Sequence, residues 1–437
     1  MNSNTISLPW GKETLTLDLP PSWQVMGIYE PTLLPGVADV TAEVERSLAE
    51  PFGGPRLSEL ARSGSKIALV VDDSSRPTPI AELLPPLLAE LERGGAQLGQ
   101  VTVVPAPGVH RPMDASELAA RLGPGWLEKM SWDSPDCDDP QKMTFLGTTR
   151  RGTPVWLNRT VAEADLVISV GCIEPHIIAS FGGGYKNLLP GVAGRTTIAA
   201  NHALNCTPAT FNNVGLPIER NPMRLDLEEG CQMLKAPVFI VNAVLNSALQ
   251  VVRVVSGDPI LAHRAGVQVS ASIYGVHLPQ LADVVITSSH PMDSDLRQGV
   301  KALANTVRAL RPGGVMITLV RAEEGVGVFG LANRKLPLGR GALYRLAPLL
   351  LKLVPRLKLK GMGEEDRFFL YFALQAMRRG TLFLYAPTIP IEIHERLPFV
   401  LFAESPARAL EAAARRLLQA RVAVLPHGGS TYPIVGN

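Results

Sequence analysis

The feature that most constrains this chain is a repeated hand-over. A run of β-branched residues ends in a polar or glycine-containing loop, and a segment of helical periodicity follows. That alternation is the signature of parallel α/β structure, because parallel neighbours need a crossover between them. KIALVVDD (66–73) is the first strong case, and SSRPTP then leads into IAELLPPLLAELERGG, whose leucines keep helical spacing despite Pro85 and Pro86. VTVVPAPG (101–108) is followed by a helix capped by Asp114 and running to Leu122, and ADLVISVG (164–171) is a further buried strand ending in glycine. Three strand ends therefore present loops on one edge.

PVFIVNAVLN and LQVVRVVSGDP (237–259) read as two more strands, while AHRAGVQVSASIYGV fits either helix or strand. The pattern restarts with ADVVITSSHPMD (282–293), the helix DLRQGVKALANTVRALRPGG and the strand GVMITLV, so RPGG is expected to close the helix. The expected architecture is two α/β domains, residues 1–270 and 271–437, with the active site in the cleft between them. LYRLAPLLLKLVPRLKLKG (343–361) is apolar and basic but broken by Pro348 and Pro355, which favours a core or lid helix with snorkelling lysines over a membrane-surface helix.

Composition removes whole classes of function. With 437 residues, 46% hydrophobic and 19% charged, the chain is too apolar for disorder, yet no apolar run reaches the roughly 18 residues of a membrane span. A formal net charge of +2 provides no basic field for nucleic acid. The first twenty residues lack a basic segment leading into an apolar core, so the cytoplasm is the expected compartment. Cys137, Cys172, Cys206 and Cys231 lie far apart without a C-x-x-C pair, and are expected to be reduced and mostly buried.

Chemistry concentrates at the strand ends. VDDSSRPTP (71–79) places Asp73 and Arg76 where α/β folds bind ligands, although such a pair also serves merely to hold a loop. PAPGVHRP (105–112) adds His110, a weak signal by itself. GCIEPHIIASFGGGYKNLLPGVAGRTTIAANH (171–202) carries far more: His176, the run Gly182, Gly183 and Gly184, then Lys186, Pro190, Gly191, Gly194 and His202. Glycines at that density let backbone approach a ligand closely, and successive free N–H groups favour an anion. The spacing is neither that of a phosphate-binding Walker loop nor G-x-G-x-x-G, and no H-E-x-x-H metal motif is present.

Taken together, DDxSRPTP, GxHRP, EPH, GGxKxxxPG and NH resemble the nickel-dependent lactate racemase family over most of the chain. The cofactor of that family is the nickel-pincer nucleotide, a pyridinium-3,5-bisthiocarboxylic acid mononucleotide whose sulfur arms grip nickel. The resemblance implies an isomerase that racemises or epimerises a 2-hydroxy acid by reversible hydride transfer. It implies covalent attachment of the cofactor through Lys186, nickel ligation by His202, cofactor contacts from Asp73, Gly183 and Gly184, and an acid/base pair of His110 and His176. Neutral imidazole suits nickel, and a histidine can take and return a hydroxyl proton near neutrality. Arg76 joins the substrate-binding set.

Downstream the family carries YQxxK, and this chain has RQGVK, so Gln298 and Lys301 match while Arg297 replaces tyrosine. The family's C-terminal-domain tryptophan is missing as well, the last tryptophan here being Trp156. With Arg297 joining Arg76, Gln298 and Lys301, the substrate is expected to be larger or more polar than lactate, malate-like or a sugar acid. Expected partners are that acid and the proteins that build the cofactor, with no nucleic acid and no membrane. Two rival readings stand beside this one. A zinc hydrolase would use His110, His176 and His202 as ligands, leaving Lys186 without a task. A non-catalytic binder of the nucleotide or of an acidic metabolite would have no need of the histidine pair.

Overall fold

The computed structural model describes residues 4–207, 214, 215, 217–327, 329–356 and 363–436. The chain divides into two compact units: a terminal unit of residues 1–32, 205–215 and 274–437, and a central unit of residues 33–204 and 216–273. The first 32 residues thus group with the C-terminal half and not with the residues that follow them. Thr5–Trp10 (β1) and Glu13–Asp18 (β2) form a hairpin turned at Gly11, and Trp23–Ile28 (β3) pairs inside the terminal sheet. Alternation explains the hairpin, since Ile6, Leu8 and Leu17 point into the core while their neighbours face water.

The strands of the central unit are Ile67–Asp72 (β4), Val101–Ala106 (β5), Ser131–Trp132 (β6), Met143–Thr148 (β7), Pro154–Asn158 (β8), Leu166–Cys172 (β9), Pro175–His176 (β10), Ser180–Phe181 (β11), Val238–Leu245 (β12) and Val251–Gly257 (β13). Its main sheet runs β13-β12-β9-β4-β5-β6, parallel except for the hairpin partner β13. Strands β4 and β9 are buried along their whole length, as expected when helices cover both faces. The unit's helices are Val40–Ala49 (α1), Leu57–Leu60 (α2), Ile80–Arg93 (α3), Ala115–Leu122 (α4), Arg159–Ala162 (α5), Arg195–Ala203 (α6), Pro222–Cys231 (α7) and Leu261–Tyr274 (α8), which ends at the boundary. Helix α3 tolerates Pro85 and Pro86 because the carbonyls they leave without partners belong to Ala81 and Glu82, both on its exposed face. The ambiguous segment after residue 261 is helical, α8.

In the terminal unit Gly275–Leu278 (β14), Ala282–Ser288 (β15), Leu310–Leu319 (β16), Gly380–Tyr385 (β17), Leu401–Phe402 (β18), Ala420–Leu425 (β19) and Tyr432–Val435 (β20) alternate with Leu296–Thr306 (α9), Arg340–Leu353 (α10), Glu364–Arg379 (α11), Ile391–His394 (α12) and Pro406–Ala414 (α13). The sheet order is β18-β17-β16-β15-β19-β3, all parallel. Arg311–Gly314 belongs to strand β16 and does not close the preceding helix. The register against β15 jumps there, with Gly313 at φ +78°, so a bulge absorbs the proline and glycines.

Helix α10 runs through Pro348, which costs it the bond to the carbonyl of exposed Tyr344. It buries Leu343 and Ala347 while Leu346, Leu349 and Leu353 stay exposed, so the expected core helix is only half covered. Residues 357–361 of that stretch lie outside the described ones. No helix among the described residues is long and apolar enough to cross a membrane. All four cysteines are free, with Cys137 half-buried and the others buried.

Candidate functional site

The site is built on the carboxyl edge of the central sheet. At the end of β4 the chain places two aspartates side by side and gives them different tasks. Asp72 is buried and bound by Arg121 of α4 and by Thr78, which pins the loop that follows. Asp73 turns outward to accept from Ser75 at 2.5 Å and from His110 Nδ1 at 2.7 Å. Burial would raise the Asp73 carboxyl, but the hydrogen bonds from His110 and Ser75 and the charge of Arg76 outweigh it and hold it below the usual carboxylate range. An ionised Asp73 fixes the proton of His110 on Nδ1 and leaves Nε2 with its lone pair. Arg76, three residues on, pairs with Glu174 in the loop after β9.

That loop continues into the hairpin β10–β11, which presents His176. Its Nδ1 accepts from the backbone N–H of Ile178 at 3.2 Å and of Ala179 at 3.1 Å, so the ring proton belongs on Nε2. The two histidines thus stand in opposite tautomers, His110 able to accept at Nε2 and His176 able to donate there.

The glycine run follows directly. Gly183 and Gly184 adopt φ of +72° and +63°, and a Cβ at Gly183 would meet Ile173 at 2.6 Å and Asn242 Oδ1 at 2.8 Å. At Gly184 it would meet Arg224 Nη2 at 2.6 Å. Only glycine satisfies both the backbone and the space. Asn242 of β12 accepts from Gly184 N at 2.7 Å, and buried Arg224 of α7 donates to Gly183 O at 3.0 Å. His263 of α8 donates from Nε2 to Gly182 O at 2.8 Å while its Nδ1 accepts from Arg264 at 3.0 Å. Glu228 compensates both arginines, at 2.9 Å from Arg224 and 2.8 Å from Arg264. Burial between two guanidinium groups keeps the His263 ring neutral.

This braced loop carries Lys186. Its side chain is half-buried and makes no salt bridge among the described residues. Burial first, and the Arg76 charge second, lower its ammonium to about 7. His202, in the last turn of α6, is lowered to about 4 by burial and by the charge of Lys186. Near neutral pH the site therefore offers a nucleophilic amine and a neutral imidazole with an available lone pair.

The structure brings Asp73, Arg76, His110, His176, Gly183, Gly184, Lys186 and His202 onto loops at this one edge or onto the helix that follows them. Arg297, Gln298 and Lys301 lie on the first turns of α9 in the terminal unit, and their spacing places them on one side of that helix. The donor atoms of His110, His176 and His202 do not gather within 4.8 Å of one another. Among the described residues the one such triplet is Asp136, Cys137 and Asp138. That geometry weighs against a three-histidine zinc centre. Glu174 lies within the EPH motif but was given no role of its own, and Arg224, Glu228, Asn242, His263 and Arg264 were not singled out for the site. The roles of these five come from long-range folding of β12, α7 and α8 against the loop, for which no local motif exists.

A family profile described as the lactate racemase N-terminal domain matches residues 10–212. A lactate racemase from Thermoanaerobacterium thermosaccharolyticum is 31% identical over 326 residues, covering 74% of this chain and 75% of the relative. Another from Lactiplantibacillus plantarum is 29% identical over 329 residues, covering 74% and 76%. The structure of the lactate racemase apoprotein from T. thermosaccharolyticum superposes with a TM-score of 0.84 at 27% identity, over 99% of this chain and 100% of that one. A protein from Thermotoga maritima shares the fold at a TM-score of 0.63 and 14% identity, over 91% and 97% of the two chains.

Proposed function

Because this chain belongs to the lactate racemase family of isomerases, we propose that it inverts the C2 centre of a 2-hydroxy acid with a nickel-pincer nucleotide attached through Lys186. The observation that carries the proposal is the placement of Lys186, its ammonium lowered to about 7, and of His202, lowered to about 4, beside a glycine loop packed too closely against Ile173, Asn242 and Arg224 to admit a Cβ. These residues fit the group: Lys186 would form the covalent link, His202 would supply the protein ligand to nickel, and Asp73, Gly183 and Gly184 would line it. When bound, the cofactor would supply an acceptor for the hydrogen on C2 of the acid.

The protein's own part is proton handling and orientation. His110, held by Asp73, would take the hydroxyl proton at Nε2 in one direction. His176 would return a proton to the planar keto acid from its imidazolium form, which needs a second proton at Nδ1 in place of the contacts from Ile178 and Ala179 N–H, and the reverse reaction would exchange the two roles. Arg76 would share its guanidinium between Glu174 and the substrate carboxylate. Gln298 and Lys301, with Arg297, complete the substrate set in this reading, for an acid larger or more polar than lactate. A cytoplasmic location belongs to the same proposal, which the free cysteines support.

The test is intact mass after co-expression with the enzymes that build the cofactor. A covalent adduct present in the wild type and lost in Lys186→Ala is expected. An unmodified wild-type mass from cells that load a known member of the family would overturn the reading.

A further inference from the structure

The central unit holds a cavity of about 290 Å³ whose lining residues all belong to that unit. It lies where β12 begins and β13 ends, at the edge of the sheet away from the strand-end loops that carry the site, and the last residues of α2 and α7 join its lining. Leu60, Leu234, Val238 and Phe239 supply an apolar wall. Two polar side chains interrupt it, Tyr185 and Asp258.

Tyr185 stands between Gly184 and Lys186 in the chain. The residue is only 7% exposed, yet its hydroxyl has no hydrogen-bond partner among the described residues. Buried polar groups in native folds nearly always find a partner, so an open hydroxyl inside a cavity points to one supplied from outside. Unlike the hydroxyl of Tyr371, that of Tyr185 is not closed off from solvent, and an incoming molecule can reach it. Burial, and after it the proximity of Cys231, Asp258 and Glu228, push the phenol up, so it stays protonated through the neutral range. Cys231 and Asp258 line the same cavity, which places the phenol end inside it.

Asp258 is the one charged side chain in the lining among the described residues. Its Oδ1 accepts from Ile260 N and Leu261 N, both at 2.9 Å, and so caps α8. Its Oδ2 makes no hydrogen bond or ion pair among the described residues. A full carboxylate charge exceeds the roughly half charge of a helix N-terminus, so the cavity keeps a negative character and repels carboxylic acids and phosphates. An ammonium answers that charge. It can donate to Asp258 Oδ2 and to the Tyr185 oxygen while an attached apolar body meets the wall. The volume is that of about ten waters in the liquid, room for a molecule of one ring.

We propose that this cavity is a second ligand site, for a small primary amine carried on an apolar body and recognised by Asp258 and Tyr185. The inference stands apart from the racemase reading, because its lining shares no residue with the set assigned to the acid or to the cofactor.

The test is calorimetric titration of the protein, purified from a cofactor-building host, with 2-phenylethylamine and with its uncharged analogue 2-phenylethanol. The amine is expected to bind with a Kd of about 1 mM or below, at least about tenfold tighter than the alcohol. Asp258→Asn, which can still cap α8, should weaken the amine about tenfold and leave the alcohol unchanged. Tyr185→Phe keeps the ring and should weaken both probes about fivefold. Gln232 is exposed at the same cavity, so Gln232→Lys disturbs no packing, and its added charge should weaken the amine alone about fivefold. No binding of the amine at about 10 mM, equal affinities for amine and alcohol, or an amine affinity unchanged in folded Asp258→Asn or in Gln232→Lys would overturn the site.

Discussion

Lys186 and Asp73 are the residues through which the chemistry can be probed one atom at a time. In the cofactor-free protein Lys186 should be labelled by amine reagents with a midpoint near pH 7, and Arg76→Met should move that midpoint upward by removing the positive charge that lowers it most. A midpoint near 10, read by mass spectrometry of the labelled peptide, would contradict the site's electrostatics. The same shift has a stability signature. The native amine loses its proton at about 7 and the unfolded one near the ordinary lysine value of 10.5, so the unfolded chain binds more protons in between. Stability should therefore rise with pH across that window, and Lys186→Met should flatten the rise. Asp73→Asn should free His110 to adopt the other tautomer and slow turnover roughly 100-fold or more, with a smaller effect on KM. The motif residues were legible because each lies in a short contiguous signature. Arg224 and His263 were not, because α7 and α8 reach the glycine loop only after folding.

At the scale of elements, the glycine loop is a rigid mount braced from three sides, and its strain is local. Gly183→Ala would force a side chain into φ +72° against Ile173 and Asn242, at a cost of roughly 1–2 kcal/mol for the backbone alone. Thermal unfolding should show that loss, and cofactor loading should fall with it, whereas Gly54→Ala, with nothing within 4 Å, should change neither. Equal behaviour of the two variants would mean that the loop does not depend on its left-handed turns. Strands and helices of the central unit were readable because apolar runs, caps such as Asp114 and turn glycines agree with one another. Strand β16 was misjudged at its start because RPGG is ordinarily a stop signal, and only pairing with β15 makes it a bulge.

For the whole molecule, the unexpected feature is that the first strands serve the last domain. Strand β3 pairs with β19, and Trp23 is buried at 2% exposure with its Nε1 donating to Leu417 O at 2.9 Å. Contacts separated by almost the full chain length leave no trace in local periodicity, so reading along the sequence does not show that residues 1–32 group with the C-terminal half. Trp23→Ala should cost about 3–5 kcal/mol in chemical denaturation of the terminal unit. A loss below about 1 kcal/mol would show that β3 is dispensable to that unit.

The central claim is that this protein inverts a 2-hydroxy acid by moving the C2 hydrogen without releasing it to water. The direct measurement follows the cofactor-loaded protein in D2O, starting separately from each C2 configuration of an acid that binds. The account predicts that both reactions converge on the same mixture while C2 keeps its original hydrogen. Inversion accompanied by full deuterium entry at C2, or no inversion by protein shown to carry the adduct, would contradict it.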